Sequence, residues 1–124
     1  MKSPLAPHAS TLFVLVRIVA GLLFSLHGIQ KVFGVLGFSE PVALTSQLGL
    51  AGIIETIGGL SIALGFYTSV WAFVASGEMA MAYFQAHLPR GTWPIQNGGE
   101  LALLYCFLFL YIASRGTVKW GVRS

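Results

Sequence analysis

Four runs of this chain, at about residues 12–33, 50–66, 69–88 and 98–115, are apolar almost throughout. Each is near the ~20 residues a helix needs to cross the hydrocarbon layer of a membrane, the second being the shortest. Between them lie turn-rich pieces: "GFSEPVALTSQLG" with Pro41, the tight "GFYTS" at 65–69, and "LPRGTWPIQNGG" with Pro89 and Pro94. Proline and glycine therefore fall where helices should stop. A soluble bundle would need polar outer faces on these helices, and none is written into them. Charged residues make up only 9% of the 124, against roughly a quarter in ordinary globular chains. The expected fold is all-α: an integral membrane four-helix bundle occupying residues 1–124 as one domain, in contact with the lipid bilayer.

The first run carries residues that do not belong in hydrocarbon. "GLLFSLHGIQKVFG" holds His27 and Lys31, and Arg17 lies just upstream. A charge at the centre of a span costs roughly 2.5–3.5 kcal/mol, and such groups face protein or a water-filled cavity. At about 100° per residue, Arg17, Ala20, Gly21, Phe24, His27, Gly28 and Lys31 fall within an arc of roughly 120°. The awkward residues form one inward stripe with small residues among them.

The other helices supply carboxyls to meet it. Glu55 has Gly52, Gly58 and Gly59 on its face, the surroundings of a close helix contact. Glu78 shares a face with Ala75, Ala82 and Gln85, and Glu100 with Leu104, Phe107 and Tyr111. Glu40 lies in a loop and reads as solvated. Four spans put both termini on one side. Lys2, Arg115, Lys119 and Arg123 flank that side, and the excess of basic residues places it in the cytoplasm of a multi-pass inner-membrane protein. In that orientation His27, Lys31, Glu55 and Glu100 lie in the outer half, Glu78 lies near the middle, and Arg17 reaches toward Glu78 from the inner half. The expected site is a pocket and polar network of Arg17, His27, Lys31, Glu55, Glu78 and Glu100, walled by Phe24, Gln85, Phe107 and Tyr111. Arg17 and Lys31 cannot neutralise three carboxyls, so one Glu should carry a proton or pair with His27 or with Arg90 of the loop. A proton-exchanging site and a structural hydrogen-bonded network both fit that description.

Several classes are excluded or disfavoured. Net charge is +3 with no basic run, so nucleic acid is not an expected partner. Cys106 is the only cysteine and reads as a small buried residue. No His-Cys-Glu grouping has metal-ligand spacing, so no metal is expected. Paired axial histidines for haem are not expected either, because His87 is calculated to point about 180° from Glu78 on its helix. At the N-terminus, Lys2 is a thin basic region, Arg17 interrupts the apolar run and no small-x-small cleavage site follows. The first run is expected to be a retained span. Trp93 and Trp120 suit the two membrane interfaces.

Three strings, "RIVAGLLFSLHGIQKVFG", "ETIGGLSIALGFYTSVWA" and "GEMAMAYFQAHLPRGTWPIQNGGELALLYCFLFLYIASRG", closely resemble the DoxX family of small four-helix membrane proteins. The resemblance covers roughly residues 12 to 121. Its most specific elements are His-Gly-x-x-Lys-x-Phe-Gly, "HLPRG" and "NGGELALLY". Relatives often end Gly-x-x-x-Trp-Ser-x-Asp, whereas here Gly116 and Trp120 are followed by Gly121, Val122, Arg123 and Ser124. The resemblance implies a link to membrane-associated oxidoreductase systems. These include a subunit accompanying a terminal quinol oxidase, thiosulfate:quinone oxidoreductase, and a complex joining oxidative-stress enzymes.

Three functions stay open at this point. One is a small, not necessarily catalytic subunit of an oxidoreductase whose interhelical pocket holds a quinone, with partner redox subunits. A second is a small-molecule or proton pathway, for which four short helices need a homo-oligomer. The third is an assembly subunit whose buried network fixes helix register.

Overall fold

The computed structural model describes residues 2–124, and the described residues are helical without a β-strand, their one β-bridge joining Phe66 to Arg123. A 3-10 turn, Ala6–His8, leads into α1, Ala9–Phe33. Helix α2, Gln47–Leu64, is capped by Ser46, whose Oγ accepts from Gly49 N at 3.0 Å. It contains a π-helical segment, Ile54–Gly58. Helix α3 runs through Thr68–Ala82 and closes with a second π segment, Tyr83–His87. A single turn, α4 (Pro94–Asn97), precedes α5, Glu100–Arg115. Ala6–Phe33 and Gln47–Leu64 are each long and apolar enough to cross a membrane. Helix α5 is shorter, and Ser69, Ser76, Gly77 and Glu78 interrupt the apolar run of α3.

The helices pair α1 with α2 and α3 with α5. On α1, Gly21 and Gly28 face Gly59 and Gly52 of α2, seven residues apart on each helix. A Cβ on Gly59 would come within 2.5 Å of Ser25 N, and one on Gly28 would overlap Thr56 and Gly52. The two backbones touch, as small residues allow where helices meet without water between them. Across the other pair, Ser76 Oγ donates to Cys106 O at 2.7 Å beside the fully buried Ala72 and Ala75. Phe24 joins the pairs. Its ring lies 4.8 Å from Phe109 and 5.5 Å from Tyr105, which stack on each other at 5.3 Å.

Polarity is inverted relative to a water-soluble protein. Leu15, Val19, Leu22 and Leu26 of α1 face outward, as do Ile57, Leu60 and Leu64 of α2, Phe73 and Phe84 of α3, and Leu104 and Phe107 of α5. Inside are Arg17 at 0% exposure, Glu55 at 2% and Asn97 at 1%. An apolar exterior of this extent marks a surface that faces lipid or protein rather than water.

Arg17 does not reach Glu78. Its guanidinium is held by backbone carbonyls: Thr117 at 2.5 Å, Lys119 at 2.8 Å, Trp120 at 2.9 Å and Ala63 at 3.3 Å. The segment after α5 folds back under α1 and α2, so carbonyls that follow the helix end surround the cation. Tyr67 N donates to Arg123 O at 2.8 Å, and Arg123 N donates to Gly65 O at 3.1 Å. Gly65, in the left-handed region at φ +71°, turns the chain between α2 and α3, where a Cβ would press on Gly121 and Thr117.

Candidate functional site

At the opposite end from Arg17, α1, α2, α3 and α5 line a half-open chamber of about 340 Å³. Its polar lining comes from every helix: His27 and Lys31 from α1, Glu55 from α2, Glu78 and His87 from α3, and Tyr105 from α5. Phe24 and Met79 form its floor, with Leu101 and Ala102 on the α5 side. The α1 stripe places Lys31 opposite the π segment of α2, and Lys31 Nζ donates to Glu55 Oε1 at 2.7 Å. Their side chains are 15% and 3% exposed. Glu78 stands near this pair, and its Oε1 is buried without a hydrogen-bond partner. Buried carboxyl oxygens are normally satisfied, so an orphan is an observation that asks for a reason. Around the chamber the count is one lysine against two carboxyls.

Both π segments carry chamber residues. Such segments widen a helix by one residue and recur at functional sites. In α2 the widening falls at Ile54–Gly58 and includes Glu55. In α3 it falls at Tyr83–His87 and sets the following residues back by up to about 100°. His87 therefore lines the chamber instead of pointing away from Glu78, contrary to the regular-helix calculation. Its ring stacks on Tyr83, and its Nδ1 lies 3.2 Å from Asn97 O.

Asn97 is buried next to Gly98, which lines the chamber. Its Nδ2 donates to Tyr83 Oη at 3.2 Å and Gly91 O at 3.0 Å, and its Oδ1 accepts from Gly99 N at 2.8 Å. Asn97 and Tyr105 open and close the family-like string "NGGELALLY", yet neither is among the expected site residues. The available signal was the pair of glycines after Asn97, since a Cβ on Gly99 would meet the Tyr83 ring at 2.6 Å.

The anticipated site residues thus divide. Lys31, Glu55, Glu78 and the wall Phe24 come together, and His27 sits exposed on the rim, its ring edge-on to Tyr105 at 6.3 Å. Arg17 is apart, bound to the C-terminal segment. Glu100 is exposed in the first turn of α5 and lines no part of the chamber; an acid there suits the helix dipole. Phe107 and Tyr111 are not walls. They are 67% and 51% exposed, because α5 turns Ala102, Tyr105, Phe109 and Ile112 inward, leaving the Glu100 face outside.

Gln85 lines a second space, a groove of about 550 Å³ between α2 and α3. Gln47 Nε2 donates to Gln85 Oε1 across its mouth. Leu48, Ala51, Glu78, Ala82 and Ala86 line both groove and chamber, so Glu78 stands where the two meet.

A DoxX family model matches residues 12–88. An uncharacterized protein of Haemophilus influenzae is 43% identical over 112 aligned residues, covering 81% of this chain and 79% of its own length. No solved structure matches.

Proposed function

The chain belongs to the DoxX family, and from that premise we propose that it is a four-span bundle of the inner membrane, residues 1–124 forming one domain, whose chamber binds a quinone for an oxidoreductase. The observation that carries this reading is the chamber's chemistry: an ion pair, and beside it a carboxyl with one buried oxygen that has no hydrogen-bond partner, in a half-open space partly lined by aromatic side chains. A quinone head has a flat ring and two carbonyl oxygens. Phe24 and Tyr105, packed on each other and on Phe109, form the aromatic side of the chamber against which the ring would lie. Lys31, His27, His87 and the Tyr105 hydroxyl are the donors for its oxygens, and Glu55 and Glu78 are the carboxyls beside them. Interconversion of quinone and quinol moves two electrons with two protons; the electrons are assigned to a partner subunit carrying a redox centre. The apolar outer faces meet lipid, and both termini lie in the cytoplasm.

The test is equilibrium binding of a tail-less benzoquinone to the purified protein in lipid nanodiscs. Saturable binding is expected, weakened at least about tenfold, or about 1.4 kcal/mol, when Lys31→Met and Glu55→Met are combined. Absence of binding, or binding indifferent to that double change, would sink the proposal.

A further inference from the structure

The groove between α2 and α3 extends beyond the chamber that would hold a quinone head, and its floor contains an unexplained residue. Gly21, Gly28, Gly52, Gly58 and Gly59 all lie inside helices, and at each a Cβ would press on a neighbouring helix. Gly77 differs. It lies in the middle of α3, and a Cβ there would meet nothing within 4 Å. Glycine is a poor choice for a helix interior, and no packing contact requires it here. Gly77 opens into the groove, with Val74 and Met81 beside it and Ile54 across from it.

From this we infer that the groove is the seat of the quinone's isoprenoid tail, reached sideways from the bilayer, and that Gly77 keeps it open. The inference rests on the quinone reading of the chamber. Groove and chamber share lining residues, Glu78 among them. Together they make a polar compartment continuous with an apolar slot. That shape fits an amphiphile with a compact head and one linear chain. A phospholipid fits worse, since the chamber's lysine is already paired with Glu55 and is not free to hold a phosphate at the head position. The head must be neutral and rich in acceptors, as a quinone's is. The hydrogen bond from Gln47 to Gln85 spans the slot's mouth and must open or move aside as the tail enters.

The experiment compares a tail-less benzoquinone with the same head bearing a long isoprenoid chain, in nanodiscs, on the wild type, Gly77→Ala, Gly77→Phe and Met81→Trp. Gly77→Ala is the folding control and should melt no lower than the wild type. The wild type should bind the tailed quinone at least about tenfold more tightly than the tail-less one. Gly77→Phe should lose that preference while binding the tail-less head within about twofold of the wild type. Met81→Trp, altered on the groove's exposed wall, should do the same and stands in should Gly77→Phe fail to fold. Equal preference for the tailed quinone in both blocking variants and the wild type would overturn the tail site while leaving the head chamber intact. Failure of the wild type to bind either quinone would remove the chamber reading and this inference with it. Release of a bound phospholipid by the blocking variants, with quinone affinity unchanged, would assign the groove to an acyl chain and also overturn it.

Discussion

Lys31→Met is expected to remove the protein from the membrane fraction. Glu55 would then be left 2% exposed with no cation in reach, and breaking a buried pair by deleting one partner costs about 3–5 kcal/mol. That is a large share of the 5–15 kcal/mol by which native proteins are typically stable. The double change Lys31→Met with Glu55→Met should restore the protein to near wild-type abundance, because two apolar side chains of similar length replace the pair. Quantitative immunoblotting of isolated membranes reads both. If Lys31→Met alone accumulates normally, the 2.7 Å pair is not holding α1 to α2.

The second large effect concerns Arg17. Four carbonyls from residues 63, 117, 119 and 120 converge on its guanidinium. Hydrogen bonds to a charged group are worth roughly 1.5–3 kcal/mol each, and those to Thr117 O and Ala63 O are buried. Arg17→Met should release the segment after Arg115, and Arg17→Lys should release it partly, since an ammonium cannot reproduce the planar fork. The readout is limited proteolysis of a C-terminally tagged protein. Cleavage of Arg17→Met is expected in inverted inner-membrane vesicles and not in intact spheroplasts, which also tests the cytoplasmic placement of the termini. Equal resistance of wild type and Arg17→Met would show that the tail is held by other contacts, such as Tyr67 to Arg123. Cleavage only in spheroplasts would reverse the orientation.

These two residues also mark where reading the chain succeeds and where it stops. The helical class follows from apolar runs bounded by Pro and Gly, and the α1 stripe follows from spacing alone. Lys31 and Glu55 were legible because a span tolerates charge only when it faces inward, and glycines flanked Glu55. Arg17 obeyed the same rule, yet its partners are backbone carbonyls in a tail that returns across the bundle. No side-chain pattern announces such acceptors. His87 was misplaced for a different reason. A uniform 100° per residue cannot anticipate the π segment Tyr83–His87. On α5, the lone acid Glu100 reads as a marker of the inner face, but an acid in a helix's first turn is stabilised there whichever way it faces. Tyr105, the polar residue that does line the chamber, is hidden among other aromatics.

A quinone held in the chamber should survive mild detergent extraction from native membranes and be identified by mass spectrometry of the small molecules retained. Wild-type protein is expected to carry an isoprenoid quinone in near-stoichiometric amount, and the Lys31→Met, Glu55→Met double variant to carry little or none at equal protein yield. A wild type that retains only phospholipid, or a double variant that retains as much quinone as the wild type, would contradict it.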